Sequence, residues 1–128
     1  MSTATQLALS RIGQIQIPVQ ALDRAVRFYR DTLGVRFLFQ VPNLAFFDAG
    51  GVRLMLGVPE QKEHQHPASV LYYVVDDIQR AYDTLHERGV QFVDKPHLIA
   101  KLEDHDLWMC FFHDSESNMV ALMSEVRR

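Results

Sequence analysis

Hydrophobic positions along the chain follow two spacings, and each spacing is used twice. Leu22, Ala25, Val26, Tyr29 and Leu33 recur at steps of three and four residues, which puts them on one stripe of an amphipathic helix. Ile78, Ala81, Tyr82 and Leu85 repeat the stripe further along the chain. Gly34 and Gly89 follow the two stripes at the point where a left-handed residue ends a helix. Asp76-Asp77 stands before the second, where carboxylates accept free backbone N–H groups. An extended segment precedes each helix (Ile12 to Val19, Ser69 to Val75), and three more segments rich in Val, Phe and Leu follow each. The pattern predicts a βαβββ unit written twice, an α+β arrangement with module 1 over about 10–58 and module 2 over about 68–126 of a single domain, 1–128.

The ends of the units match as well. Phe46 to Leu56 lies over Phe112 to Leu122, strand, tight turn and strand in both. Between the modules the polar stretch 59–67 carries a proline at each end, which stops the flanking strands and marks a linker. The two-residue period of a strand then sorts side chains by face. Ile15, Ile17 and Val19 share one apolar face, as do Val52, Leu54 and Leu56, and these should pack under the helices. The opposite face carries Gln14, Gln16, Arg53, Met55, Val70, Tyr72, Val74, Met119, Ala121 and Met123, a mixture suited to lining a cavity.

Composition narrows the class of partner. A 48% hydrophobic, 23% charged chain of 128 residues is an ordinary globular domain that needs no covalent staple. Thirteen basic against sixteen acidic side chains give a net charge of -3, which argues against a basic face for nucleic acid. Cys110 is the single cysteine and sits within Trp108-Met109-Cys110-Phe111-Phe112, where a thiol serves as a small hydrophobe; a reducing compartment fits. No basic cluster precedes an apolar stretch at the start, and no window is long enough to span a bilayer. The expectation is a cytoplasmic protein with neither nucleic-acid nor membrane partners.

Ile15-Gln16-Ile17-Pro18-Val19, the Phe28-Tyr29 pair followed by Leu33-Gly34, Val74-Val75-Asp76-Asp77-Ile78, and Phe112-His113-Asp114 through Asn118 resemble the vicinal oxygen chelate superfamily. That group includes glyoxalase I, extradiol dioxygenases, and bleomycin and fosfomycin resistance proteins. The resemblance implies paired βαβββ modules curling into an open, barrel-like mixed sheet around a cavity, often completed in a homodimer. In the metalloenzymes of the group, His, Glu or Gln on pocket-facing strands hold a divalent cation. That ion polarises vicinal oxygens of the substrate and stabilises an anion such as an enediolate. Carried over position by position, those ligands become Gln14, Met55, Val70 and Ala121. Val and Ala have no donor atom and a thioether suits a hard cation poorly, so the resemblance implies a vacant metal position and no cofactor. A divalent metal would need a non-standard site.

The remaining candidates are imidazoles and a guanidinium. His64 and His66 fall in the linker and His86 off the apolar stripe, where solvation accounts for them. His97 and His105 flank a segment between strands that could fold over the cavity mouth, with Asp104, Asp106 and His113 nearby, and are the candidates for acid–base chemistry. Arg53 at a pocket-facing position calls for an anionic partner, either on a ligand or from a neighbouring Asp or Glu. Asp114 reads as a hairpin-turn residue. The reading is a protein that binds a small, largely apolar or aromatic ligand through Gln14, Gln16, Arg53, Met55, Tyr72, Trp108 and Met119. The alternative is a glyoxalase-related lyase, isomerase or dioxygenase using a relocated metal or proton transfer by His97 or His105.

Overall fold

The computed structural model describes residues 7–59 and 68–128. Of the expected linker only Pro59 is therefore described, and His64 and His66 lie outside the described residues. Module 1 runs β1 (Gln14–Pro18), α1 (Leu22–Arg27), β2 (Arg36–Val41), β3 (Leu44–Ala49) and β4 (Val52–Gly57). Module 2 runs β5 (Leu71–Val74), α2 (Ile78–Glu87), β6 (His97–Lys101), β7 (His105–His113) and β8 (Met119–Arg127). Each module forms its own four-stranded mixed sheet, in the orders β1-β4-β3-β2 and β5-β8-β7-β6. In both, the first strand pairs parallel with the fourth and the other pairs are antiparallel. The duplication extends to a defect: β2 shifts register between Phe37 and Phe39, and β6 shifts between Leu98 and Ala100. A one-residue bulge at the same place in each edge strand turns the residues beyond it to the other face.

Both helical stripes bury as their spacing requires, with Ala25, Val26 and Tyr29 in one core and Ile78 and Leu85 in the other. The first helix departs from expectation at its end, because residues Phe28–Thr32 widen into a π turn in which Leu33 N–H donates to Phe28 O at 2.9 Å. The wider turn brings Phe28 and Leu33 inward beside Tyr29, and both pack against the core of module 1 and that of module 2. Gly34 (φ 76°) and Gly89 (φ 90°) then take the left-handed conformation that closes each helix. Cys110 is fully buried, and burial, followed by the charge of Asp94, pushes its thiol up to about 12. It stays protonated and unreactive.

The modules are joined by polar contacts from the β7–β8 turn. Buried Asp114 accepts from Tyr29 Oη at 2.6 Å across the module boundary, and from the backbone N–H groups of Glu116 and Asn118 within its own turn. Burial, reinforced by the Asp114 charge, raises Tyr29 well above its ordinary value, so its O–H remains a donor. The next acid along the turn supplies a cap that α1 lacks. Ala21 at the helix start has no side-chain acceptor, and Glu116 takes the N–H groups of Gln20 (2.6 Å) and Ala21 (3.3 Å) while pairing with Arg24 at 2.9 Å.

Replacing Tyr29 by Phe removes a donor from a buried carboxylate, and urea unfolding should register a loss of about 1–3 kcal/mol. For Glu116, burial raises the carboxyl, but the N–H of Gln20, the Arg24 guanidinium and the N–H of Ala21 outweigh it and hold it below the ordinary carboxylate range. Its ionised form therefore stabilises the fold above the unfolded-state value and is lost as pH falls through the lower folded one. Glu116→Gln should cost about 1 kcal/mol at pH 7, with the gap to the parent closing below about pH 4, as urea midpoints at the two pH values will report.

Candidate functional site

Strand parity gives each sheet one face under a helix and one face without. Ile17, Leu54, Leu56 and Phe47 fill the covered side of the first sheet, as do Cys110, Phe112, Val120 and Leu122 in the second. The two covered sides meet at Phe28, Leu33 and Tyr73, so the other faces point away from the helices.

On the first open face the register writes a grid. One row reads Gln14, Arg53, Asp48, Arg36 across β1, β4, β3 and β2, and the next reads Gln16, Met55, Phe46, Phe39. The edge-strand bulge is what brings Phe39 beside Phe46, where their rings stack at 4.6 Å. The Arg53 guanidinium lies over the Phe46 ring at 5.7 Å, and Gln14 Nε2 approaches Met55 Sδ at 3.7 Å. Among the described residues no carboxylate lies within ion-pair distance of Arg53.

The second open face is softer. Val74, Met123, Met109 and His97 form one row, Tyr72, Ala121 and Phe111 the next, and Met119 with His113 a third. The Tyr72 and Phe111 rings stand edge to face at 6.0 Å on either side of Ala121, which is fully buried between them. Tyr72 (47% exposed), Val74 (71%) and Phe39 (46%) have nothing over them in the single chain.

The expected site residues divide. Gln14, Gln16, Arg53, Met55, Tyr72 and Met119 do share the open faces. Trp108 does not: it alternates with Met109, lies opposite Ser124, and packs on the helix side against the core of module 2. The same parity that puts Cys110 and Phe112 in the core applies to it. Met109, Phe111, Phe46 and Phe39 take places that sequence reasoning missed. For Met109 and Phe111 the alternation in Trp108-Met109-Cys110-Phe111-Phe112 is a sufficient signal; for Phe39 the bulge hides it.

His97 and His105 are also rearranged. The segment between them is no flap over a cavity mouth, because His97–Lys101 forms edge strand β6 and pairs with β7. His97 faces Met109, while His105 lies near the far end of β7 opposite Arg127, so the two imidazoles occupy different rows. His97 Nδ1 bonds to Lys95 O at 2.8 Å. His105 Nδ1 contacts Asp104 Oδ1 at 2.7 Å, with Glu125 Oε2 3.8 Å from its Nε2. The imidazole comes first in holding Asp104 below the usual carboxylate range, with Arg127 adding to it.

The positions that the resemblance assigns to metal ligands lie on these same faces. Gln14 offers one amide, turned toward the Met55 thioether; Ala121, roofed by two rings, and Val70 offer no donor. This set does not fit a hard divalent cation. Among the described residues no group of three His, Cys, Asp or Glu side chains is placed to hold a metal ion.

A cleft of about 910 Å³ opens elsewhere, on the helix side between the modules, bordered by Ile15, Leu54, Leu71, Tyr73, Leu85 and Phe112 among others. Of the residues expected to line a cavity, Tyr72 and Val74 border it and the others do not; Arg36 and Asp48, at the end of the first open face, border it too. Within the single chain the mixed faces are therefore open surfaces, since closing a hollow over them takes material beyond one copy's described residues. The Tyr73 hydroxyl beside the cleft is buried without a partner among the described residues, and burial, then the Asp114 charge, pushes it up to about 12.

Comparison with known proteins agrees with this architecture. An uncharacterized protein of Bacillus subtilis (strain 168), YraH, is 29% identical over 129 residues, covering 88% of this chain and 96% of that one. A crystal structure of a glyoxalase/bleomycin resistance protein/dioxygenase superfamily member from Sphaerobacter thermophilus superposes with a TM-score of 0.76 at 26% identity, covering 93% of this chain and all of the other. The lactoylglutathione lyase of Agrobacterium tumefaciens shares the fold at a TM-score of 0.74 and 19% identity, over 91% of this chain and 95% of its own. Residues 11–122 match the family model for this fold, and the chain belongs to the Glyoxalase/Bleomycin resistance protein/Dioxygenase superfamily.

Proposed function

We propose that the protein is a cytoplasmic binding protein for a small, largely apolar or aromatic ligand, held on the open sheet faces and enclosed when two copies bring those faces together. One observation carries the reading: the faces on which the family places its chemistry bear aromatic rings and thioethers, and the four positions where cation ligands would stand hold Gln14, Met55, Val70 and Ala121. Such walls are polarisable and adaptable, and they favour a ligand that presents carbon. The exposure of Tyr72 and Val74 on one open face and of Phe39 on the other supports a covering partner, which would remove that apolar area from water. No helix among the described residues is long and apolar enough to cross a membrane, in keeping with a non-membrane role.

N-phenyl-1-naphthylamine, a neutral aromatic fluorophore, should bind with enhanced emission, and Met55→Ser and Tyr72→Ala should each weaken it about tenfold. Far-UV circular dichroism checks that both variants fold. An absence of binding to the parent, or binding that neither substitution alters, rejects the reading. Sedimentation should find a dimer at micromolar concentration; a monomer at every concentration removes the enclosing partner.

A specific contact favours one form of the enzymatic alternative. Asp104 at 2.7 Å fixes the His105 ring, as an orienting carboxylate does for a general base in a lyase or isomerase. His97, bound to a backbone carbonyl, has no such partner as close. If this chemistry operates, a substrate found by screening should lose about a hundredfold or more in kcat with His105→Gln and keep most of it with His97→Gln. Equal rates in parent and His105→Gln exclude a catalytic imidazole there.

A further inference from the structure

We infer that the ligand of the first open face is an amphiphilic organic anion, gripped by its charged end on the Gln14–Arg53–Asp48–Arg36 row with its apolar body along the Gln16–Met55–Phe46–Phe39 row. This rests on the ligand-binding reading above and gives it a polarity.

The two rows differ in character although they are adjacent on the same strands. The first holds two guanidiniums, one carboxylate and one amide. Asp48 stands between Arg53 and Arg36 and can neutralise one of them; the row keeps one positive charge in excess. No further acid joins the row from β1, where Gln14 supplies a neutral donor instead. Arg53 rests its guanidinium over the Phe46 ring at 5.7 Å, which orients the planar group, and among the described residues its N–H edge meets no hydrogen-bond acceptor. A carboxylate, sulfonate or phosphate matches that edge with paired hydrogen bonds, a geometry that a halide or a neutral carbonyl cannot reproduce.

The second row, two residues away on β1, β4 and β3 and three on the bulged β2, begins about 7 Å away. Its centre is the stacked Phe46–Phe39 pair with the Met55 thioether beside it. Phe46 belongs to both functions, since Arg53 covers one part of its ring and Phe39 stacks on it. An anion bound at Arg53 thus has an aromatic surface within the length of one ring, and its head-to-body spacing is that of an aryl or short alkyl acid. A ligand lacking the charge would leave Arg53 without an anion once a second copy closed over the face, a desolvation cost that selects for the acid.

The test compares two fluorophores with one aromatic skeleton, N-phenyl-1-naphthylamine and its sulfonated counterpart 8-anilinonaphthalene-1-sulfonate. For the parent the sulfonate should bind about tenfold tighter than the amine, and this ratio should fall as salt is raised. Arg53→Met, which keeps an apolar stem, should reduce the ratio about tenfold; Arg53→Lys, which keeps charge without the planar fork, should give an intermediate value. Asp48→Asn should raise the ratio. A ratio near one in the parent, or one that Arg53→Met leaves unaltered, overturns the inference while ligand binding stands. Failure of the neutral amine to bind rejects the underlying reading instead, so the two failures are separable.

Discussion

The fold depends on a buried carboxylate that serves two modules. Asp114 ties its own hairpin turn through backbone N–H groups and reaches into the other module through the Tyr29 hydroxyl. A carboxyl group at such depth is tolerable only when its oxygens are met, and here four donors from Tyr29, Glu116 and Asn118 meet them. Two separate sheets have no ladder of hydrogen bonds between them to fix their relation. Across the boundary run this contact, the Glu116 cap on α1, a hydrogen bond from the Arg88 guanidinium to Thr32 O at 2.8 Å, and the shared packing of Phe28, Leu33 and Tyr73. The π turn belongs to the same junction, since it delivers Phe28, Tyr29 and Leu33 to the boundary together.

With the helices committed to one side, parity leaves the opposite side of each sheet as the place where chemistry can vary without cost to the core. Substitution of a residue on the open face changes what the protein recognises, whereas its neighbour one position along holds up the fold. The superfamily's breadth of activities is physically understandable on these terms. In this chain the open positions carry thioethers and aromatic rings, with one polar row at the Arg53 level. The faces are thus sorted by chemistry as well as by exposure.

Much of this is legible in the residues alone. Helical stripes, the glycines that end them, the doubled hairpin and the covered faces of β1 and β4 all follow from local spacing. What spacing does not reveal are features set by partners far along the chain. Asp114 looks like an ordinary turn residue because its link to Tyr29 spans two modules. Glu116 carries no sequence sign of capping a distant helix. Phe39 joins the open face only through a bulge. Trp108 is a different case: the alternation that buries Cys110 and Phe112 assigns it to the core, whereas its aromatic character alone suggests a ligand contact. The histidines differ from expectation because the stretch between them forms a strand where a loop is expected.

Ala121 is one of the positions that the resemblance assigns to a metal ligand, and the Tyr72 and Phe111 rings stand on either side of it. A longer acidic side chain there would have to push both rings aside before reaching anything. One acidic substitution at Ala121 would therefore not assemble a donor set for a cation. The paired rings thus couple three positions, so that placing a donor at Ala121 requires Tyr72 and Phe111 to be repositioned with it.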